Sequence, residues 1–230
     1  MSLSSRYSLV SALAMVGALS APTIAQATGA QWDSPAAGFS GNGATSASPW
    51  VGSPASGSAL AEWNFIHSTT DLSPDIVGSG SLVETTGSAF ATSGGNIYSF
   101  SAATSFTATI DALAASTWDV YLRVATLGTS VLDAATLNGV SATRTLTHSE
   151  AITGGFGGGE EESLWVWSGV DASSLVLRFG ASGSSMSLDQ VAIYAAPVAA
   201  VPEPSTWLMM LAGLGAVGAL SSRRTPSSHR

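Results

Sequence analysis

Residues 118–126 form the clearest strand pattern in the chain, because apolar and polar side chains alternate along them. The apolar set is Trp118, Val120, Leu122 and Val124. The polar set between them is Asp119, Tyr121 and Arg123. Successive side chains of a β-strand point to opposite faces of a sheet. The run therefore predicts a strand with one face in an apolar core and the other on a polar surface.

The same kind of pattern recurs along the middle of the chain, where no long 3.6-residue apolar repeat appears. Short alternating runs predict further strands at 96–100, 105–110, 162–167, 175–179 and 187–194. Turn-forming residues separate them at 94–95, 138–139 and 180–185. Many short strands without helices between them predict an all-β fold, an antiparallel β-sandwich.

The N-terminus has the three parts of a secretory signal peptide. Arg6 is basic, residues 7–19 are mostly apolar or small, and Ala25-Gln26-Ala27 fits the small-x-small cleavage pattern. We expect signal peptidase to cut after Ala27. An uncleaved membrane helix is the rival interpretation, but the run is short and rich in serine.

The C-terminus has a second export-like pattern. Pro202, Glu203 and Pro204 precede an apolar run at 207–220, and Arg223 and Arg224 follow it. Fourteen residues rise about 21 Å as a helix, whereas a bilayer core is about 30 Å thick. We therefore expect a short transmembrane helix that stops temporarily in a membrane, with the arginines on the cytoplasmic side. The alternative is a buried core helix of an ordinary domain.

These patterns divide the chain into four predicted parts. They are a signal peptide at 1–27, a loop-rich segment at 28–58, a β-sandwich domain at 59–197, and a C-terminal tail at 198–230 with its membrane segment at 207–220.

The order of the Pro-Glu-Pro hinge, the apolar run and the arginine pair resembles the PEP-CTERM sorting tail of exported Gram-negative bacterial proteins. The resemblance covers residues 201–224. It implies that Pro202, Glu203, Pro204, Arg223 and Arg224 form the motif that an exosortase of the inner membrane recognises and processes. It also implies export to the cell surface or the extracellular matrix, and a link to exopolysaccharide and biofilm.

Residues 118–194 also resemble jelly-roll domains of the carbohydrate-binding kind. The resemblance rests on the strand at 121–125, the turn Leu137-Asn138-Gly139 and the closing strand at 188–193. It implies a jelly-roll-like sandwich and a lectin-like ability to bind polysaccharide.

Composition excludes several classes of site. The chain has no cysteine and no lysine, so disulfides and thiolate metal sites are absent. Residues 28–197 contain three arginines and fourteen carboxylates. Such a surface repels nucleic acid and anionic lipid, but it tolerates neutral polysaccharide and could bind divalent cations. The alternative is that the acidity only keeps an exported protein soluble.

Two groups of carboxylates are candidate calcium ligands, because hard cations prefer oxygen. Glu160, Glu161 and Glu162 follow the glycine-rich stretch 154–159, and Asp189 precedes the last apolar run. The alternatives are a solvated loop for the glutamates and a backbone hydrogen bond for Asp189. No other cofactor is expected.

Tryptophans are the candidates for binding a glycan. Trp165 and Trp167 lie two residues apart and so share one face of their strand. If Leu164 and Val166 face the core, the tryptophans form an exposed platform for sugar rings. If both faces are covered, they belong to the core. Trp32 and Trp50 are candidates to cap the sandwich.

The sequence names no catalytic residue. Only His67 and His148 remain in the predicted domain, and neither a Gly-x-Ser-x-Gly nor a His-Glu-x-x-His motif occurs. Carboxylates that could act in glycoside hydrolysis are numerous, and no pair stands out. We therefore expect a non-enzymatic surface or matrix protein. The alternatives are a lectin-like polysaccharide-binding module and a glycan-active hydrolase.

Overall fold

The computed structural model describes residues 32, 56–75, 78–111, 113–114, 116–153, 157–198, 209–214 and 217. The predicted signal peptide, with Ala25 and Ala27, lies outside these residues, as does most of the loop-rich segment. The predicted sorting residues also lie outside them, namely Pro202, Glu203, Pro204, Arg223 and Arg224.

The described part of the chain is nearly all β. Its strands are β1 (Ala59–Trp63), β2 (Thr70–Asp71), β3 (Ser81–Glu84), β4 (Phe90–Ala91), β5 (Ile97–Tyr98), β6 (Ser105–Ile110), β7 (Ser116–Gly128), β8 (Ala134–Leu137), β9 (Val140–Thr143), β10 (Thr145–Ala151), β11 (Gly159–Ala172), β12 (Leu175–Gly180) and β13 (Met186–Pro197).

The strands form two antiparallel sheets. The seven-stranded sheet has the order β10-β11-β7-β13-β5-β4, and β1 pairs with β13 beside β5. The six-stranded sheet has the order β2-β3-β6-β12-β8-β9. One apolar core contains buried residues of both sheets, such as Leu122 and Val191 from the first and Leu82 and Leu177 from the second. This arrangement is consistent with the predicted antiparallel β-sandwich.

Strand β7 confirms the alternation found in the sequence. Its four apolar residues, Trp118, Val120, Leu122 and Val124, are all buried in the shared core. β7 pairs with β11 from Ser116 to Gly128 and with β13 from Trp118 to Gly128. It is therefore the central strand of the larger sheet, and its polar residues lie on the outer face of that sheet.

The structure confirms the predicted positions of five strands, whereas most of the other strands were not predicted. β6, β7, β11, β12 and β13 include or match the predicted runs. Of the strand predicted at 96–100, the structure shows only the two residues of β5. β1–β4, β8 and β9 have at most five residues, too few for a period of two to be visible. The seven residues of β10 include one large apolar side chain, Leu146, and so show no apolar alternation.

The expectation of a solvated loop at Glu160, Glu161 and Glu162 is wrong. All three residues belong to β11, which pairs with β7 on one side and with β10 on the other. The pairing with two neighbours explains why these three consecutive carboxylates lie in a strand.

The C-terminal tail is described only in part. Residues 209–214 are helical, and their apolar side chains Met209, Met210, Leu211 and Leu214 are exposed, unlike those of a buried core helix. Over the described residues, no helix has the length and apolar character needed to cross a membrane. The membrane segment at 207–220 stays a prediction.

We expect the substitution Leu122→Ala to reduce the free energy of unfolding by about 3 kcal/mol, because it leaves a cavity in the shared core. Leu132→Ala is the matched control, since Leu132 is exposed and its loss should cost under about 0.5 kcal/mol. Urea unfolding measures both values. Equal costs would contradict the assignment of Leu122 to the core.

Candidate functional site

A buried polar cluster lies on the outer face of the seven-stranded sheet. It consists of Glu62 on β1, Arg123 on β7, Glu162 on β11 and Trp32, and all four side chains are at most 2% exposed. We call it the Arg123 cluster. Burial of three ionisable groups on the outside of a sheet is unusual, because charged residues are almost never fully buried unless they are paired.

Strand register brings these side chains together. Ala192 of β13 pairs with Glu62 on one side and with Arg123 on the other. On β7, Ala125 pairs with Glu162. Directly paired residues share a face of the sheet, so two small alanines form the floor beneath the long charged side chains. A larger residue at either position would occupy the space that the guanidinium and carboxylates use.

Arg123 contacts an acid and an aromatic ring at the same time. Its Nη2 lies 3.1 Å from Oε2 of Glu162, and its guanidinium carbon lies 4.5 Å from the centre of the Trp32 ring. A cation within about 6 Å of an aromatic face is attracted by the ring quadrupole, by about 2 kcal/mol when desolvated. The indole Nε1 of Trp32 donates a hydrogen bond of 3.2 Å to Oε1 of Glu62.

Trp32 therefore covers the outer face of the sheet and does not cap the end of the sandwich. It belongs to a second apolar cluster, which comprises Trp32, Leu60, Ala125, Leu164, Ala192 and Tyr194. The predicted loop-rich segment is thus tied to the domain at this residue. Trp50, the other candidate cap, lies outside the described residues.

Burial changes the acid–base properties of the cluster. The pKa of Glu62 is raised to about 7, chiefly because burial penalises its charged form, while hydrogen bonds from Trp32 and Asn64 and the charge of Arg123 act in the opposite direction. Burial also lowers the pKa of Arg123, and Glu162 opposes that change.

Paired carboxyl groups are common in the active sites of acid–base enzymes. Here, however, Glu62 and Glu162 are 0% and 2% exposed, and Trp32 is hydrogen-bonded to Glu62. A substrate does not reach them in this conformation. What the geometry does directly is hold Trp32 against the sheet.

Trp165 and Trp167 belong to the core and do not form an exposed platform. Trp165 is 0% exposed and Trp167 5%. Their indole Nε1 atoms donate hydrogen bonds of 2.9 Å to the backbone carbonyls of Asp133 and Val140. On the opposite side of β11, Leu164 packs in the second apolar cluster. The tryptophans are buried because they face the core shared by both sheets. On the outer side of the strand Leu164 is covered, whereas Val166 is 42% exposed.

The candidate calcium ligands are not brought together. Alternation along β11 places Glu160 and Glu162 on one face and Glu161 on the other. Glu161 accepts a 3.0 Å hydrogen bond from Arg144, and Glu162 pairs with Arg123. Asp189 is buried in β13, where the register shifts between Leu188 and Gln190. In the part of the chain that the structure describes, no three histidines or carboxylates are grouped to hold a metal ion.

An exposed aromatic patch was missed by the sequence reasoning. It consists of Phe90 on β4, Tyr98 on β5 and Phe100, whose rings contact one another. Phe90 is 43% exposed and Phe100 60%. The sequence feature that could have predicted the patch is the pair Tyr98 and Phe100, which lie two residues apart in the uncharged stretch 85–110.

Comparison with known proteins identifies the C-terminal tail. The family model described as the PEP-CTERM protein-sorting motif matches residues 200–224. This confirms the predicted tail, and it indicates a secreted, membrane-transiting protein that is sorted to the cell surface. No curated protein and no solved structure matches the chain.

Protonation of Glu62 should make stability depend on pH. In the unfolded chain this carboxyl ionises near 4.5, and in the folded protein near 7. Between these values the folded state binds one more proton, so stability falls as pH rises and levels off above 7. At 1.36 kcal/mol for each pKa unit, wild type should lose about 2 kcal/mol between pH 5 and 7.5.

Urea unfolding of Glu62→Gln at the two pH values tests this expectation, because glutamine cannot titrate. The variant should lose about 2 kcal/mol less than wild type over the same interval. Glu150→Gln is the control, since Glu150 is exposed on β10 and should retain the wild-type loss. An identical pH response of wild type and Glu62→Gln would contradict the buried, protonated carboxyl.

Removing Arg123 should be costly because it leaves Glu162 buried without its cation. We expect Arg123→Met to reduce the free energy of unfolding by about 3–5 kcal/mol, and the added change Glu162→Gln to restore about 1 kcal/mol or more. Arg178→Met, at an exposed position, should cost under about 0.5 kcal/mol. Similar costs for Arg123→Met and Arg178→Met, measured in urea, would show that the ion pair is not structural.

Proposed function

We propose that this protein is an exported, non-enzymatic component of the cell surface or extracellular matrix, released from the inner membrane by an exosortase that processes its C-terminal tail. The observation that carries the proposal is the match of residues 200–224 to the PEP-CTERM sorting motif. A signal peptide cut after Ala27 would bring the chain to the membrane where the exosortase acts.

The position of the tail supports this proposal. Strand β13 ends at Pro197, five residues before Pro202. Removal of the chain from Pro202 onwards would take away no described strand and no residue of either apolar cluster. The sandwich and the sorting tail are therefore separable by one cut.

The surface chemistry of the domain also suits an exposed location near polysaccharide. The whole chain has a formal net charge of −8, which favours solubility and repels other polyanions. The two apolar clusters stabilise the domain without disulfides, so the fold does not depend on the redox state of its surroundings. The proposed association with exopolysaccharide and biofilm rests on the resemblance of residues 201–224 to PEP-CTERM sorting tails.

The absence of enzymatic activity stays a prediction. The two carboxylates of the Arg123 cluster are the sharpest alternative, although both are buried. Turnover of polysaccharide by wild type, abolished in Glu162→Gln, would favour a hydrolase.

Substitution of the hinge tests the sorting proposal. We expect a variant with Pro202→Ala, Glu203→Ala and Pro204→Ala to remain in the inner membrane with its tail attached. The expected reason is that alanines allow the chain to become helical where the protease needs an extended segment. Immunoblots of fractionated cells that encode an exosortase would measure both location and chain length.

Pro226→Ala is the matched control, because Pro226 lies in the same tail but beyond the matched residues. Wild type and this control should give a shortened product at the cell surface, and deletion of the exosortase should abolish it. Surface protein that retains residues 202–230 in every strain would contradict the proposal.

A further inference from the structure

The aromatic patch of Phe90, Tyr98 and Phe100 is an exposed apolar surface of the described domain. The ring centres of Phe90 and Phe100 are 5.7 Å apart and the rings are stacked. Tyr98 meets both rings edge-on, with centres 6.1 Å from Phe90 and 4.6 Å from Phe100. The three rings thus form one continuous surface with two half-exposed phenylalanines.

The backbone fixes the position of the patch. Phe90 of β4 pairs directly with Tyr98 of β5, so both side chains share a face, and Phe100 follows Tyr98 by two residues. Ser187 of β13 pairs with Tyr98, which places the patch on the outer face of the seven-stranded sheet. β4 ends the strand order of that sheet, so the patch lies at its edge.

The hairpin beneath the patch is held by hydrogen bonds within it and to β13. The hydroxyl of Thr92 bonds to the side chain of Asn96, and the amide of Asn96 bonds to the hydroxyl of Ser187. The Phe65 ring packs so closely on Gly95 that an added Cβ would lie 2.4 Å from it. The rings are therefore presented on a fixed support, which lowers the entropy that a ligand must overcome.

The stretch of chain that carries the patch has no charged residue. Residues 85–110 contain no Asp, Glu, Lys or Arg, although the chain has fifteen acidic and seven basic residues. Serine, threonine and asparagine supply the polar groups of this stretch instead. A surface of aromatic rings bordered by hydroxyl and amide groups is complementary to a neutral ligand that has both C–H faces and hydroxyls.

We propose that the aromatic patch binds a neutral polysaccharide. Sugar rings stack their C–H faces on Phe90 and Phe100, and their hydroxyls exchange hydrogen bonds with neighbouring serine and threonine side chains. The acidic remainder of the protein repels anionic polymers. The inference deepens the proposed function, on which it rests, by naming the ligand class and the surface that binds it.

The size of the patch favours a sugar chain over a second copy of the protein. A phenylalanine contributes at most about 150–250 Å² of surface, and the exposed fractions are 43% and 60%. The two rings therefore offer roughly 200 Å², whereas a stable protein interface needs about 800 Å² per partner. A few sugar units cover such an area.

Affinity electrophoresis tests this assignment with the protein as recovered from its host. Native gels would contain one of four neutral polysaccharides, β-glucan, xyloglucan, galactomannan or dextran, or the anionic polymer alginate. At least one neutral polymer should retard wild type and alginate should not. The double variant Phe90→Ser, Phe100→Ser should bind that polymer at least tenfold more weakly.

Leu132→Ser with Val140→Ser is the matched control, because these residues are 49% and 64% exposed away from the patch. Both double variants should keep the wild-type unfolding midpoint. The assignment is overturned if no neutral polymer retards wild type, or if the patch variant binds as wild type does. It is also overturned if sedimentation shows a wild-type dimer that the patch variant converts to monomer.

Failure of this inference can be told apart from failure of the sorting proposal. The patch variant should still reach the cell surface with its tail removed. The Pro202, Glu203 and Pro204 variant, extracted from the membrane, should still be retarded by the same polysaccharide as wild type.

Discussion

The two-sided pattern of β7 is the constraint on which the rest of the structure depends. Its pairing with β11 and β13 extends over most of three long strands. One face places Leu122 and Val124 in the core shared by both sheets, and the other presents Arg123. A register slip of one residue would exchange the two faces, which would bury a guanidinium in hydrocarbon and expose the core residues. The charge at Arg123 therefore selects one register as firmly as the apolar residues do.

Arg123 can be buried here because several groups together offset the free energy lost when its guanidinium is removed from water. Desolvating a guanidinium costs several kcal/mol, which one ion pair repays only with good geometry and further contacts. Glu162 supplies the opposite charge, the Trp32 ring faces the cation, and Ala192 leaves space for both. Glu62, whose pKa is raised to about 7, keeps its proton below neutral pH, which limits the charge in the cluster there. The same contacts fasten a residue of the N-terminal segment to the domain, so electrostatics on the outer face extend the packed structure beyond the strands.

Features that depend on consecutive residues were predictable from the sequence, whereas features that depend on contacts between distant residues were not. The sorting tail was readable because its hinge, apolar run and arginines are consecutive. The alternation of Trp165 and Trp167 showed that they share a face, but it could not show which face, since Leu164 is buried on the other side. Trp32 and Glu62 are thirty residues apart, and Arg123 and Glu162 thirty-nine. No periodicity within one strand reports such partners, and the same holds for the aromatic patch, which joins two strands.

The distribution of basic residues also determines how the folded domain meets trypsin. Without lysine, the only cleavage positions between residues 28 and 197 follow Arg123, Arg144 and Arg178. Arg123 is buried in the central strand of the larger sheet. The second is 16% exposed, with its guanidinium held between Asp133 and Glu161. The third lies in β12, hydrogen-bonded to β6 and β8. Digestion within the sandwich consequently has to wait for strands to separate, so an intact domain resists this class of protease.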